Sequence, residues 1–202
     1  MGMMRVAVMV FLCMFAREMF AQSNETIILT IDGKEYTFVE GEELKLKETL
    51  VSPTISARLA ENKKFESNYL TFEYPKNFSY TFEEDIGYRN WTFDGSDFVI
   101  MYFEMDMETE LNDFVDEMVN QFGAERCKTK PVQLELGDRI LKGTRIDVTL
   151  VGQQLTIDFV EIESNDYKSR IIAFQDSVGE DGNGSKEKAK TLKVINRSIQ
   201  YK

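Results

Sequence analysis

The 202-residue sequence contains no histidine. That absence excludes Ser-His-Asp and Cys-His catalysis, His-ligated zinc or copper, haem with a His ligand, and imidazole-based pH sensing. Carboxylate chemistry stays open. Cysteine is almost as scarce, with Cys13 and Cys127 alone. Cys13 falls in a segment read below as a cleaved leader, so Cys127 has no partner and no intramolecular disulfide is expected. Packing must then hold the fold, and 15 Phe with 8 Tyr supply the material for it. Basic residues are in deficit: 24 Lys and Arg face 35 Asp and Glu, for a net charge of −11. A chain this acidic repels nucleic acid and anionic lipid head groups, whose binding rests on Lys and Arg, so neither is an expected partner. No apolar run approaches the about 20 residues of a membrane-crossing helix. No internal repeat or low-complexity tract is present.

What is present begins with the first residues. Met1–Arg5 carries a positive charge, Val6–Ala16 is continuously apolar, and Met19-Phe20-Ala21 ends on a small residue. This is the pattern of a secretory signal peptide, expected to span residues 1–21. Cys13 follows Leu12 rather than the small residue that precedes a lipidated cysteine, so the expectation is a soluble exported protein, periplasmic or extracellular, with no stable membrane insertion once the leader is cut. Removing it takes away Arg5, Arg17 and Glu18 and leaves the remainder still more acidic.

From Thr26 to Val39 apolar residues alternate on both sides of Asp32-Gly33, the strongest short hairpin signal. Glu42–Glu48 alternates again through Leu44 and Leu46, and Ile55, Ala57 and Leu59 keep a period of two beyond Ser52-Pro53. Strands are expected at Tyr69–Tyr74, Phe78–Phe82, Gly87–Phe93 and Asp97–Met105. The last holds Phe98-Val99-Ile100-Met101-Tyr102-Phe103, apolar at every position, which requires cover on both faces and so predicts helices packed there. Glu108–Phe122 supplies one: Leu111, Phe114, Val115, Met118, Val119 and Phe122 share a helix face, Asp106 or Thr109 is the expected cap, and Gly123 the stop. Val132–Leu136, Arg139–Val151, Gln154–Ser164 and Lys168–Asp176 follow as strands, Gly179–Gly184 as a loop, and Ser185 caps a final helix carrying Ala189, Leu192, Ile195 and Ile199 inward. The order predicts an α+β fold: one antiparallel β-sheet flanked by helices, an α/β/α sandwich.

This order resembles the PsbP-like superfamily, which groups the photosystem extrinsic subunit, a Ran-binding nuclear-transport factor and many bacterial exported proteins. The matching features are Leu70-Thr71-Phe72-Glu73-Tyr74-Pro75, the hairpin leading into the acidic-capped helix 108–122, Gly143 in Lys142-Gly143-Thr144-Arg145, the meander through Phe159, and Val194-Ile195-Asn196-Arg197-Ser198-Ile199. They cover about residues 65–201. The resemblance implies a PsbP-like domain over 65–202 preceded by an N-terminal β-hairpin extension over 22–64. It also implies assembly factors, adaptors and chaperones rather than enzymes, with no common catalytic set and no cofactor. Phe78 stands where relatives often place Trp.

Several residue groups invite a functional reading. Tyr88-Arg89-Asn90-Trp91 combines residue types enriched at binding hot spots, and Arg89, Trp91 and Tyr88 form the expected partner-binding site. Strand alternation sets Tyr88 and Asn90 opposite Arg89 and Trp91, and the plainer reading packs Trp91 under a helix with Arg89 at the rim. Glu110, Asp113 and Glu117 share an exposed helix face, better suited to solvation than to calcium, which wants six to eight oxygens. Arg126 and Lys128 flank Cys127 and would lower its thiol pKa, although a half-buried strand residue is the plainer expectation. The sequons at Asn24, Asn77 and Asn90 are read as coincidence. The expected function is thus a non-enzymatic binding or assembly protein of a bacterial envelope, its partner another envelope protein. The alternatives are a hydrolase using paired carboxylates and a chaperone-like binder of amphipathic helices.

Overall fold

The computed structural model describes residues 26–202 apart from 40, 48, 49, 164 and 165. The leader, with its expected cleavage and Cys13, lies outside the described residues. The chain runs β1 (Thr26–Ile31), β2 (Lys34–Val39), β3 (Ile55–Leu59), β4 (Asn62–Glu66), β5 (Leu70–Pro75), β6 (Ser79–Asp85), β7 (Tyr88–Asp94) and β8 (Phe98–Met105). Then come helix α1 (Leu111–Phe122), β9 (Cys127–Leu136), β10 (Arg139–Leu150), β11 (Gln153–Glu161), β12 (Ser169–Ser177), helix α2 (Lys186–Ser198) and β13 (Gln200–Tyr201).

Seven strands form one antiparallel sheet in the order β6-β7-β8-β12-β11-β10-β9. The run at Phe98–Phe103 sits centrally, in β8, where apolar side chains on both faces are required. On one face, Tyr88, Phe103, Ile157, Phe159 and Ile171 pack with Val115, Met118 and Phe122 of α1. On the other, Phe93, Ile100, Tyr102, Ile172 and Phe174 pack with Phe65, Leu70 and Phe72 of the β4–β5 ribbon and Ile195 of α2. The α+β class holds. The second outer layer, however, is not a helix alone. It is the small sheet β13-β5-β4 lying beside α2, where the Glu73 N–H donates to Ser198 Oγ at 2.8 Å.

The expected stop at Gly123 holds, with φ of +92°. The expected caps do not. Glu110 occupies the cap position without a side-chain hydrogen bond. Asp106 is drawn to Lys168 Nζ at 2.7 Å, and the Thr109 backbone is clipped to Ser169 Oγ at 2.7 and 3.0 Å. Ser185 caps α2 as expected, accepting from the Lys188 N–H at 2.9 Å. Gly143 of β10 lies opposite Val160, where a Cβ would stand 1.8 Å from the Phe159 carbonyl oxygen, so only glycine lets the strands close.

The first three strands make a separate sheet, β2-β1-β3. The Asp32-Gly33 turn joins β1 to β2 with φ of +48° and +82°, the sign pattern of a tight hairpin turn. The expected hairpin extension is therefore three-stranded, because β3 adds along β1. The alternation at Leu44 and Leu46 forms no strand, and nothing in the structure explains why it leaves the sheet edges unpaired. β4 crosses the boundary expected at residue 64 and pairs with β5.

Candidate functional site: two surfaces and an ion lock

Arg89 and Trp91 point to the same face of the large sheet. Arg89 is one rung of a charge row crossing four strands, with Glu84, Arg89, Glu104 and Arg170 directly opposite one another on β6, β7, β8 and β12. Arg89 donates to Glu84 at 2.8 Å and lies 3.6 Å from Glu104; the Glu84 bond raises the guanidinium pKa further. Arg170 is buried, donates to Asp166 at 2.9 and 2.5 Å, and rests 3.2 Å above the Tyr69 ring. Beside this row a groove of about 410 Å³ is lined by Glu66, Ser67, Asn68, Phe82, Arg89 and Trp91.

Trp91 stands half-buried at the edge of that groove. Its ring stacks on Tyr102 at 5.4 Å, Phe82 lies 5.1 Å away on the neighbouring strand, and Phe65 adds a third contact at 5.6 Å. Trp91 is thus packed on one side as the plainer reading expects, with the ribbon residue Phe65 in place of a helix. Tyr88 does not join the expected site. It faces the other way, buried against Phe103 at 6.2 Å, because alternation along β7 sends residues 88 and 89 to opposite faces. Asn90 is buried as well, which closes its sequon to a glycan.

The most deeply buried acids among the described residues bear on the paired-carboxylate reading. Asp158 and Asp176 are fully buried on adjacent strands. Arg145 grips both oxygens of Asp158, with Nη2 at 2.7 Å, and Lys188 Nζ lies 3.3 Å from Asp158 and 3.7 Å from Asp176. The Ser185 N–H reaches Asp176 at 3.2 Å. These acids are bound by cations and backbone, an arrangement that fastens the start of α2 to the sheet. The signal was in the sequence: Glu104, Asp158 and Arg170 each interrupt apolar strands, which marks a charge that must find a partner inside.

Cys127 opens β9 half-buried, and its thiol is pushed up by burial and then by Glu125 rather than lowered by its basic neighbours. Glu110, Asp113 and Glu117 are exposed. Among the described residues no group of three or more Cys, Asp or Glu is placed to hold a metal ion, and no helix is long and apolar enough to cross a membrane.

The second surface is one the sequence analysis left without a site. In the sheet β2-β1-β3, the rows Phe38–Ile27–Leu59 and Tyr36–Leu29–Ala57 lie on one face, with Ile31 and Ile55 below them. That face is apolar, while Thr26, Thr30, Glu35, Thr37, Ser56 and Arg58 make the other mostly polar. None of these apolar residues belongs to either of the two core clusters, although Ile31 is itself buried, with Lys34 beside it on the same face. Ile55 and Leu59 are 56% and 49% exposed, and Leu44, Leu50 and Val51 are exposed in the segment just before. The other exposed large apolar residues, such as Ile86 and Ile140, are scattered singly.

No family model matches the chain, and no curated protein matches it. Among solved structures it is similar to a protein of Bacteroides thetaiotaomicron VPI-5482, at 13% identity and a TM-score of 0.43, over 71% of this chain and 49% of that one. The chain thus spans about half the length of that protein. It is also similar to LpqN of Mycobacterium tuberculosis, described as involved in cell envelope biogenesis, at 11% identity and a TM-score of 0.37, over 65% of this chain and 82% of that one.

Proposed function

We propose that this chain is an exported, non-enzymatic binding or assembly protein of a bacterial cell envelope. Its body is a PsbP-like scaffold, and its contact surface is the apolar face of the N-terminal sheet. The carrying observation is that face, with Ile27, Leu29, Tyr36, Phe38, Ile55 and Leu59 side by side and outside both cores. A three-stranded sheet gains stability by covering its apolar face, and fully burying a single exposed Ile or Leu contributes about 1.5–3 kcal/mol. A partner's apolar segment laid across the sheet collects that gain. The signal-peptide pattern of residues 1–21 and the missing histidine support the same reading. Asp158 and Asp176, saturated by Arg145, Lys188 and the Ser185 N–H, are not available as the acid pair of a carboxylate hydrolase. The chaperone reading asks for an open apolar groove on the large sheet, whose central strands are covered on both faces.

The test is affinity capture from a bacterial envelope extract, comparing the parent with an Ile55→Ser, Leu59→Ser double variant. The proposal expects a discrete protein retained by the parent and lost from the double variant. It is overturned when folded parent retains nothing, or when both retain the same protein equally.

A further inference from the structure

We infer that two copies of this chain pair antiparallel through β3, Ile55–Leu59, with Ala57 on the two-fold axis, joining two three-stranded sheets into one of six strands. This rests on the reading of the N-terminal sheet as a contact surface. Sheet edges with free backbone groups template unwanted pairing, and proteins protect them with charge, proline or very short length.

Among the described residues, the sheets end on β2, β3, β4, β6, β9 and β13. Five of these carry a protective device. β9 has Lys128 and Pro131, β6 ends in Glu83-Glu84-Asp85 with two acids besides the paired Glu84, β4 has Lys63, β2 has Lys34, and β13 is two residues long. β3 is different. It reads Ile-Ser-Ala-Arg-Leu, all five residues are exposed, and its one charge, Arg58, reaches back across β1 to Glu35 at 3.4 Å. The charge is turned away from the open edge.

The strand also complements itself. With Ala57 opposite its copy, Ile55 meets Leu59 of the other chain on the apolar face, and Ser56 meets Arg58 on the polar face. No like charges are directly opposed, and small Ala57 leaves the axis clear. The apolar face of one sheet then continues into that of its copy, doubling the surface offered to an envelope partner. The paired edge is only five residues long, well short of a standard interface of about 1,600 Å². The dimer is therefore concentration-dependent, not obligate.

Sedimentation over a concentration series, with sulfhydryl trapping, tests the register. In the exported chain with Cys127 replaced by serine, Ala57→Cys is expected to oxidise to a covalent dimer. Directly opposed strand residues lie about 4.5–5.5 Å apart at Cα, within disulfide range. Thr37→Cys, on the protected β2 edge, is expected to stay monomeric. Ser56→Lys sets a cation opposite Arg58 and is expected to weaken association, while Ser56→Glu strengthens it. At two symmetric pairs the change is about 2- to 30-fold each way. Residue 56 is exposed, so neither change threatens folding.

Monomer mass for the parent at every concentration, or equal trapping through residues 57 and 37, overturns the inference. The two failures are distinguishable. A monomer that still captures an envelope partner removes the pairing alone, whereas a dimer that captures nothing removes the proposed function alone.

Discussion

The large sheet and the N-terminal sheet use the same residue types and the same antiparallel pairing, yet they sit in opposite environments. Rows of Phe, Tyr and Ile on β7, β8 and β12 are closed on one side by α1 and on the other by the β4–β5 ribbon with α2. Equivalent rows of Ile, Leu, Tyr and Phe on β1 and β2 end at a half-buried face, with Ile31 buried at its end, and those on β3 at an exposed one. The large sheet even spends two buried acids on fastening α2 in place. The difference teaches that apolar pattern and apolar burial are separate properties. Pattern makes a strand, but burial needs a second layer, and where the layer is missing the pattern marks a surface left for something else to cover.

That contrast can be broken where it is strongest. Phe93 is fully buried and touches Phe65, Phe72, Tyr74 and Tyr80, with ring centroids 5.1, 5.3, 4.6 and 5.3 Å away. Phe93→Ala is expected to lower unfolding free energy by about 3–5 kcal/mol in a urea titration. Asp158→Ala comes next. It strips Arg145 and Lys188 of their shared acid and is expected to cost about 3 kcal/mol, part of the charge being rescued by water at the more exposed Arg145. A loss under about 1 kcal/mol there would show that the lock fastens nothing.

The pH dependence gives a smaller effect. Burial raises the Glu161 pKa, and Glu110, Glu163 and Glu108 raise it further. A carboxyl whose folded pKa lies above its unfolded value binds its proton more tightly in the folded state. Its ionisation therefore subtracts stability as pH rises from the unfolded to the folded pKa, and the deficit persists above that. Glu161→Gln is expected to gain under about 1 kcal/mol at pH 7 and nothing at a pH below the carboxylate range, by parallel denaturation at the two values. A gain of equal size at both would assign the effect to packing instead.

At the exposed end of the comparison, Ile55→Ser is expected to leave global unfolding within about 0.5 kcal/mol of the parent. Amides of β1 and β3 should exchange hydrogen well before those of β8, β11 and β12, as measured by mass spectrometry. Equal protection in both sheets would mean that the small sheet is covered after all.

Local readings from the sequence survived where the physics was local. Asp32-Gly33 turned as expected, the apolar stripe of 111–122 met the sheet, and Ser185 capped α2. Readings that depended on a distant neighbour fared differently. Asp106 and Thr109 were fit caps for α1, but Lys168 and Ser169, some 60 residues on, claimed them first. Trp91 and Arg89 were placed on one face by alternation, yet the sealing of the indole by Phe65 depended on where the ribbon would lie. Leu44 and Leu46 had the period of a strand and formed none.

The order of elements, their apolar faces and the exclusion of imidazole chemistry were determined by the sequence itself, because periodicity, turn residues and composition act within a few residues. Which strand ends each sheet, which charges meet inside and which apolar face stays open were decided only by the tertiary structure. Those outcomes depend on pairings between residues far apart in the chain, and neither partner of such a pair carries a mark that names the other.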